Sequence, residues 1–216
     1  LKTELGEYST VNVVPIDLAT SNGASDLINA VSQIGMPVDI LVNNAGTMPE
    51  GDFDKLDAVE IDHIINLNVR ALTHLTNHFF ALMLAARNGR ILNVASVAAF
   101  HPVAGMDIYA ATKAYVLSLT ESLAEQARGT GVSLTALCPG LTNTEMVDQS
   151  LTRSLPSFVI STPEVVAQEG FDALMRKDVI CVPGKANKLA LTWAQHQPRW
   201  LVRGLGGLAS RFGKIR

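Results

Sequence analysis

The stretch Asp39-Ile40-Leu41-Val42-Asn43-Asn44-Ala45-Gly46 decides how the rest of the chain is organised. Three apolar residues in a row mark a short strand buried on both faces, the habit of a parallel sheet covered by helices. The run stops abruptly at small and polar residues. The same order recurs on either side of it. Upstream, 11–18 is expected to be a strand ending at Asp17, followed by a helix over 24–34 with Leu27, Ile28, Val31 and Ile34 at helical spacing. Downstream, Ile61, Ile64, Leu72, Leu75, Phe79 and Met83 predict one long helix over about 56–87, closed at Asn88-Gly89. Next come a strand over 90–96 that ends at Ser96, a helix over 108–128, and a strand over 133–138 that breaks at Pro139-Gly140. Thr162-Pro163-Glu164 opens another helix, with a capping Thr and Pro at the first helical position, and 179–184 is a last strand. Strand and helix alternating in this way predict an α/β fold with a parallel sheet.

Composition narrows the class. With 216 residues, 48% hydrophobic and 17% charged, the chain can build one core, which excludes a disordered or fibrous protein. A net charge of −3 gives the whole chain no reason to bind polyanions. Cys138 and Cys181 both lie in apolar strand-like runs, so they are expected to be buried free thiols and not a disulfide framework. The histidines match no metal-ligand spacing, and no metal is expected. Apolar runs end well short of the ~20 residues of a membrane span. A cytoplasmic protein is the expectation.

Tyr109 and Lys113, four residues apart on a helix, share one face. A phenol has a pKa near ~10 and is a poor acid or base at neutral pH. A lysine cation beside it favours the phenolate, so the pair can move a proton to or from an alcohol or carbonyl. Ser96 ends a strand thirteen residues earlier. Strand ends of parallel sheets are where ligands sit. Asn43-Asn44-Ala45-Gly46, Asp17 and Pro139-Gly140 end the neighbouring strands. Each motif also has a plain structural reading: a turn for 43–46, a helix cap for Asp17, a helix kink for Asn68, loop hydroxyls for Thr142 and Thr144.

Taken together, Asn43-Asn44-Ala45-Gly46, Asn68, Ser96, Tyr109-x-x-x-Lys113 and Pro139-Gly140 with Thr142 and Thr144 resemble the short-chain dehydrogenase/reductase family, in family order and spacing, from about residue 11 to 184. The resemblance implies a Rossmann-like doubly wound parallel sheet and an NAD(P)-dependent oxidoreductase that moves hydride between nicotinamide and a carbonyl or alcohol. It implies Tyr109 as general acid/base and Ser96 on the substrate oxygen. Lys113 would bind the nicotinamide ribose and lower the phenol pKa, with Asn68 holding a relay water. Asp17 and Leu18 would meet adenine, and Asn44, Ala45 and Gly46 the ribose side. Pro139, Gly140, Thr142 and Thr144 would border the nicotinamide. NADP(H) is somewhat favoured over NAD(H), the substrate is a small carbonyl or alcohol compound, hydrophobic in one subgroup of the family, and a homodimer or homotetramer is expected.

The family's opening strand, glycine-rich turn and first helix have no match here. The first strand resembles the family's third, so the sheet is expected to lack its first two strands. That would leave a gap of roughly 14 Å, or about three strand spacings, flanked by two open inner edges. Such a chain by itself is expected to fold poorly and to bind NAD(P) weakly.

Charge is uneven. Residues 1–184 carry ten Lys/Arg against twenty Asp/Glu, whereas 185–216 carry seven Lys/Arg and no acid, interleaved with Trp193, Trp200, Leu201, Val202, Leu205 and Phe212. Residues 1–184 are therefore expected to form the NAD(P)-binding domain and 185–216 a basic amphipathic extension. That extension either packs on its own domain or lies at an anionic membrane surface. A non-catalytic scaffold and a peripheral membrane protein are the competing functional readings.

Overall fold

Four short apolar runs pair side by side. The computed structural model describes residues 9–48, 53–103, 105–143 and 160–198, with positions 201 and 204. In it β1 (Ile40–Asn43), β2 (Gly89–Val94), β3 (Val132–Leu137) and β4 (Ile180–Cys181) form one parallel sheet in the order β1-β2-β3-β4. The helices are α1 (Gly23–Ile34), α2 (Ala58–Ile65), α3 (Leu72–Ala86), α4 (Asp107–Gln126), α5 (Pro163–Arg176) and α6 (Lys185–Gln195). The expected α/β class and parallel sheet are therefore present. No described helix is long and apolar enough to cross a membrane.

Side chains alternate across the sheet and sort into two cores. Ile91 and Leu134 point to the face covered by α3, where they pack with Leu75, Phe79, Phe80 and Met83, while α1 adds Ala24, Leu27 and Ile28. Ala136 and Cys138 meet Val116 and Leu117 of α4 on that same face. Leu92, Leu137 and Cys181 point the other way, against Val166, Ala173 and Leu174 of α5. Gly170 lets α5 approach closely, because a Cβ there would come 2.8 Å from a methyl of Leu137. Thr162 caps α5 as its sequence predicts, its hydroxyl accepting from Val165 N at 3.4 Å.

Three expectations change. First, 11–17 forms no strand. A strand exists only where a neighbour completes its hydrogen bonds. Here Leu18 packs on the α1/α3 core, Asp17 Oδ1 accepts from Ala19 N at 2.9 Å, and Arg70 donates to the Ser21 carbonyl at 2.8 Å. Among the described residues the expected gap between two inner edges is absent, because no strand lies on the far side of it and β1 is an edge of the sheet. Among the described residues β1 pairs only with β2, leaving Ile40 and Val42 exposed on the face away from α3. Second, the single long helix is broken by a π-helical segment, Asn66–Ala71, between α2 and α3. Third, the residue in the left-handed conformation at the end of α3 is Arg87 (φ 54°), one position before the expected Asn88-Gly89 cap.

On the α3/α4 face a chain of buried polar groups crosses the core. Asn43 Nδ2 donates to Thr76 Oγ1 at 2.9 Å and to Asn93 Oδ1 at 2.8 Å. Asn93 Nδ2 donates to Thr120 Oγ1 at 3.0 Å, and that hydroxyl donates to the Val116 carbonyl at 2.6 Å. Asn43 and Asn93 face each other in register across β1 and β2. Removing one member strands its partners without water, at about 1–3 kcal/mol per unmet group. Asn93→Leu is therefore expected to destabilise the fold by about 2 kcal/mol, read from the urea unfolding midpoint; an unchanged midpoint would contradict the network's role.

Candidate active site

The C-terminal ends of β1, β2 and β3 lie side by side because the strands are parallel and in register. Ala95 N donates to the Leu137 carbonyl at 2.7 Å and Val97 N to the Pro139 carbonyl at 2.9 Å, extending the β2–β3 contact past both strands. Ser96 is extended (φ −169°, ψ 160°), and its Oγ accepts from Ala98 N at 3.1 Å, opening a short 3-10 turn over Val97–Ala99. The hydroxyl is thereby fixed at the sheet edge and largely buried.

α4 starts at Asp107, so Tyr109 falls in its first turn and Lys113 one turn later, on the side facing β2. Lys113 Nζ donates to the Val94 carbonyl at 2.8 Å and stands 5.6 Å from the centre of the Tyr109 ring. At 5% exposure Lys113 is well removed from water, and burial pulls its ammonium down to about 8. Burial pushes the Tyr109 phenol up, while a hydrogen bond from the Ser96 side chain pulls it back. Tyr109, Ser96 and Lys113 thus form one cluster.

Asn68 joins them through the π segment. Its Oδ1 accepts from Thr47 N at 2.9 Å, and its Nδ2 donates to the Thr47 carbonyl at 2.8 Å and to Thr112 Oγ1 at 3.2 Å. Thr112 in turn donates to the Tyr109 carbonyl at 2.8 Å. Gly46 sits against the same groups. A Cβ there would lie 3.2 Å from Asn68 Oδ1 and 3.3 Å from Lys113 Nζ, so glycine permits the close approach. Asn44 and Ala45, just before it, are exposed at the end of β1.

Pro139, Gly140 and Thr142 follow β3, and Thr142 Oγ1 donates to the Gly140 carbonyl at 3.2 Å. Thr142 also bridges to Ser161. Thr144 lies outside the described residues. Asp17 and Leu18 are not drawn to the cluster: their contacts are with their own turn and the α1/α3 core. Sequence reasoning passed over Thr47, Thr112 and Asn187. Thr112 could have been noticed inside the Tyr-x-x-x-Lys turn, one residue before the lysine. Thr47 carried no signal, and Asn187 is visible only in three dimensions, where its side chain fills the space a Cβ on Gly140 would need.

The arrangement fits the nicotinamide–ribose half of a dinucleotide. Gly46 keeps the backbone close to Lys113, whose ammonium has donors beyond the one taken by Val94. Asn44, Ala45, Tyr109 and Lys113 would line the ribose, with Pro139, Gly140 and Thr142 beside the ring. Among the described residues no glycine-rich turn opens a helix at this edge for the pyrophosphate.

Known proteins resemble this chain in sequence and in fold. The uncharacterized oxidoreductase YvrD of Bacillus subtilis (strain 168) is 38% identical over 144 residues, covering 67% of this chain and 54% of YvrD. The ketoacyl reductase HetN of Nostoc sp. (strain PCC 7120) is 33% identical over 165 residues, 76% of this chain and 58% of HetN. The chain thus spans under two thirds of the length of these curated relatives. A short-chain dehydrogenase from Sphingobium yanoikuyae, solved in complex with NADPH, superposes with a TM-score of 0.76 at 28% identity over 90% of this chain and 76% of that one. The bulky-bulky ketone specific alcohol dehydrogenase from Comamonas testosteroni gives 0.74 at 26% identity, over 89% and 75%. Residues 1–154 match the short chain dehydrogenase family model, and the chain belongs to that family.

Proposed function

We propose that the protein is an NAD(P)-dependent oxidoreductase that interconverts a carbonyl and an alcohol, with Tyr109 as the acid/base. The observation that carries this is the clustering of a buried lysine, a phenol and a serine hydroxyl at one sheet edge. A scaffold has no use for a lysine buried at a cost in desolvation beside a phenol. The Ser96 hydroxyl holds the substrate oxygen and polarises it. Tyr109 gives its phenolic proton to that oxygen in reduction and takes it back in oxidation. Lys113, held to the Val94 carbonyl, keeps a positive charge near the ring and favours the phenolate. Asn68 fixes the Thr47 loop against α4 and holds the water through which Lys113 is reprotonated. A nicotinamide held beside Tyr109 and Lys113 would supply the hydride in reduction and accept it in oxidation. Asp17 and Leu18 serve the adenine side. Relatives named for ketone and ketoacyl chemistry, and one solved with NADPH, support a ketone substrate and NADP(H).

Tyr109→Phe is expected to keep dinucleotide binding but lose at least ~100-fold in turnover of the intact protein. Near-normal turnover would remove Tyr109 from the mechanism.

The lysine has its own signature. Its folded pKa of about 8 lies below the unfolded 10.5, so the unfolded chain binds more protons between those values. This group alone therefore makes stability rise with pH across that window, and below it the penalty of burying the cation is complete. Nitrogen NMR of Lys113 in the cofactor-free protein is expected to show a midpoint near 8. An ordinary lysine midpoint would refute the burial argument.

A homodimer or homotetramer is also proposed. An apolar groove of about 450 Å³ runs along the outer side of α2, the π segment and α4, lined by Phe53, Ile65, Val69, Ile108, Ala111 and Tyr115. Phe53, Ile65 and Tyr115 are exposed, and a second copy laying the same helices into the groove would cover them. Light scattering at micromolar concentration is expected to give a dimer or tetramer; a monomer would contradict this.

A further inference from the structure

α6 packs with only part of its circumference. Asn187 donates to the Pro183 carbonyl at 3.0 Å, and Leu191 rests on the core of Val116, Cys138 and Val182. With Ala194 they form the inward stripe. Ala186, Leu189, Ala190 and Trp193, at i, i+3, i+4 and i+7, form a second stripe that faces out. Leu189 is 75% and Trp193 52% exposed, a high exposure for two large apolar groups one turn apart. Lys185 and Lys188 are also exposed, and Lys185 is one turn from Leu189. No acidic residue occurs anywhere in 185–216, against seven Lys/Arg.

We infer that the outward stripe of α6 docks on an anionic lipid bilayer surface. Charge complementarity selects this occupant. An apolar strip beside lysines, in a segment without a single acid, matches a surface whose headgroups are negative and whose interior is hydrocarbon. Trp193 sits at the headgroup boundary, Leu189 enters the acyl region, and the lysine stems extend back to phosphate. The helix is eleven residues long, so it lies in the interface and does not span it. Because Asn187 on its inner side packs against Gly140, the docked helix sets the nicotinamide-side loop next to the lipid.

The test is co-sedimentation of the full chain with vesicles of phosphatidylcholine alone or mixed with phosphatidylglycerol, with circular dichroism as the check of fold. Binding is expected on the mixed vesicles, weakened by ~0.5 M NaCl and by about fivefold for each lysine replaced in Lys185→Gln and Lys188→Gln. The double variant Leu189→Ser/Trp193→Ser is expected to lose at least about tenfold in partitioning. If that variant fails to fold, a Trp200→Phe protein leaves Trp193 as the only tryptophan, whose emission should shift to the blue on mixed vesicles. Absence of binding, equal binding to neutral vesicles, an unshifted Trp193, or a folded double variant that still binds would overturn the inference. So would self-association through this stripe, seen as an oligomer that the double variant dissociates.

Discussion

The hydrogen-bonded chain from Thr76 through Asn43 and Asn93 to Thr120 is what the rest of the site depends on. It lies directly beneath the cluster of Ser96, Tyr109 and Lys113. Asn43 immediately precedes Asn44-Ala45-Gly46, and Asn93 precedes Val94, the carbonyl that holds Lys113. Thr76 stands about two turns beyond Asn68 along its helix, and Thr120 two turns beyond Lys113. In dry surroundings an amide that loses its partner has no water to fall back on, so neither helix can slide or rotate without stranding a polar group. Apolar packing by itself would tolerate small shifts; this chain does not. It converts strand register into side-chain position.

The π-helical segment adds a second constraint. One extra residue per turn over Asn66–Ala71 rotates α3 relative to α2, and Asn68 ends fully buried, bonded to the Thr47 backbone on both sides. An uninterrupted helix would offer its side chains no such local change of direction. Such bulges are costly, and they persist where a side chain must be aimed. Here the aim is at the junction of the β1 loop and α4.

Much of this could be read from the chain alone, for identifiable reasons. Short runs rich in apolar residues and ended by small or polar groups reported β1, β2 and β3, although only Ile40-Leu41-Val42 is apolar without interruption. The habit of burial on both faces that suggested a parallel sheet holds for β2 and β3 and not for the edge strand β1. Tyr109 and Lys113 were visible because helical periodicity puts them on one face. The π segment was not, since apolar periodicity over 56–87 is nearly the same with or without one extra residue in a turn. The segment 11–18 has the composition of a strand, but whether it pairs depends on a neighbour and not on its own residues. Asn43 looked like the start of the Asn43-Asn44-Ala45-Gly46 motif and Asn93 like an ordinary strand residue. Their partnership needs the register, which composition does not contain.

The two thiols follow from the alternation of the sheet. Leu137 is the residue in register with Cys181, so Cys138, one position further, projects to the opposite face. Both are buried and free, and the sheet itself separates their sulfurs. Oxidants therefore have no internal disulfide to form. Burial, aided by the nearby Cys181 and Glu121, pushes the Cys138 thiol up to about 12, so it stays protonated beside Lys113. A thiolate there would pair with the ammonium and draw its charge away from the phenol. Keeping that sulfur neutral leaves this end of the sheet chemically quiet towards electrophiles and peroxides, which attack or are attacked by the thiolate and not the thiol.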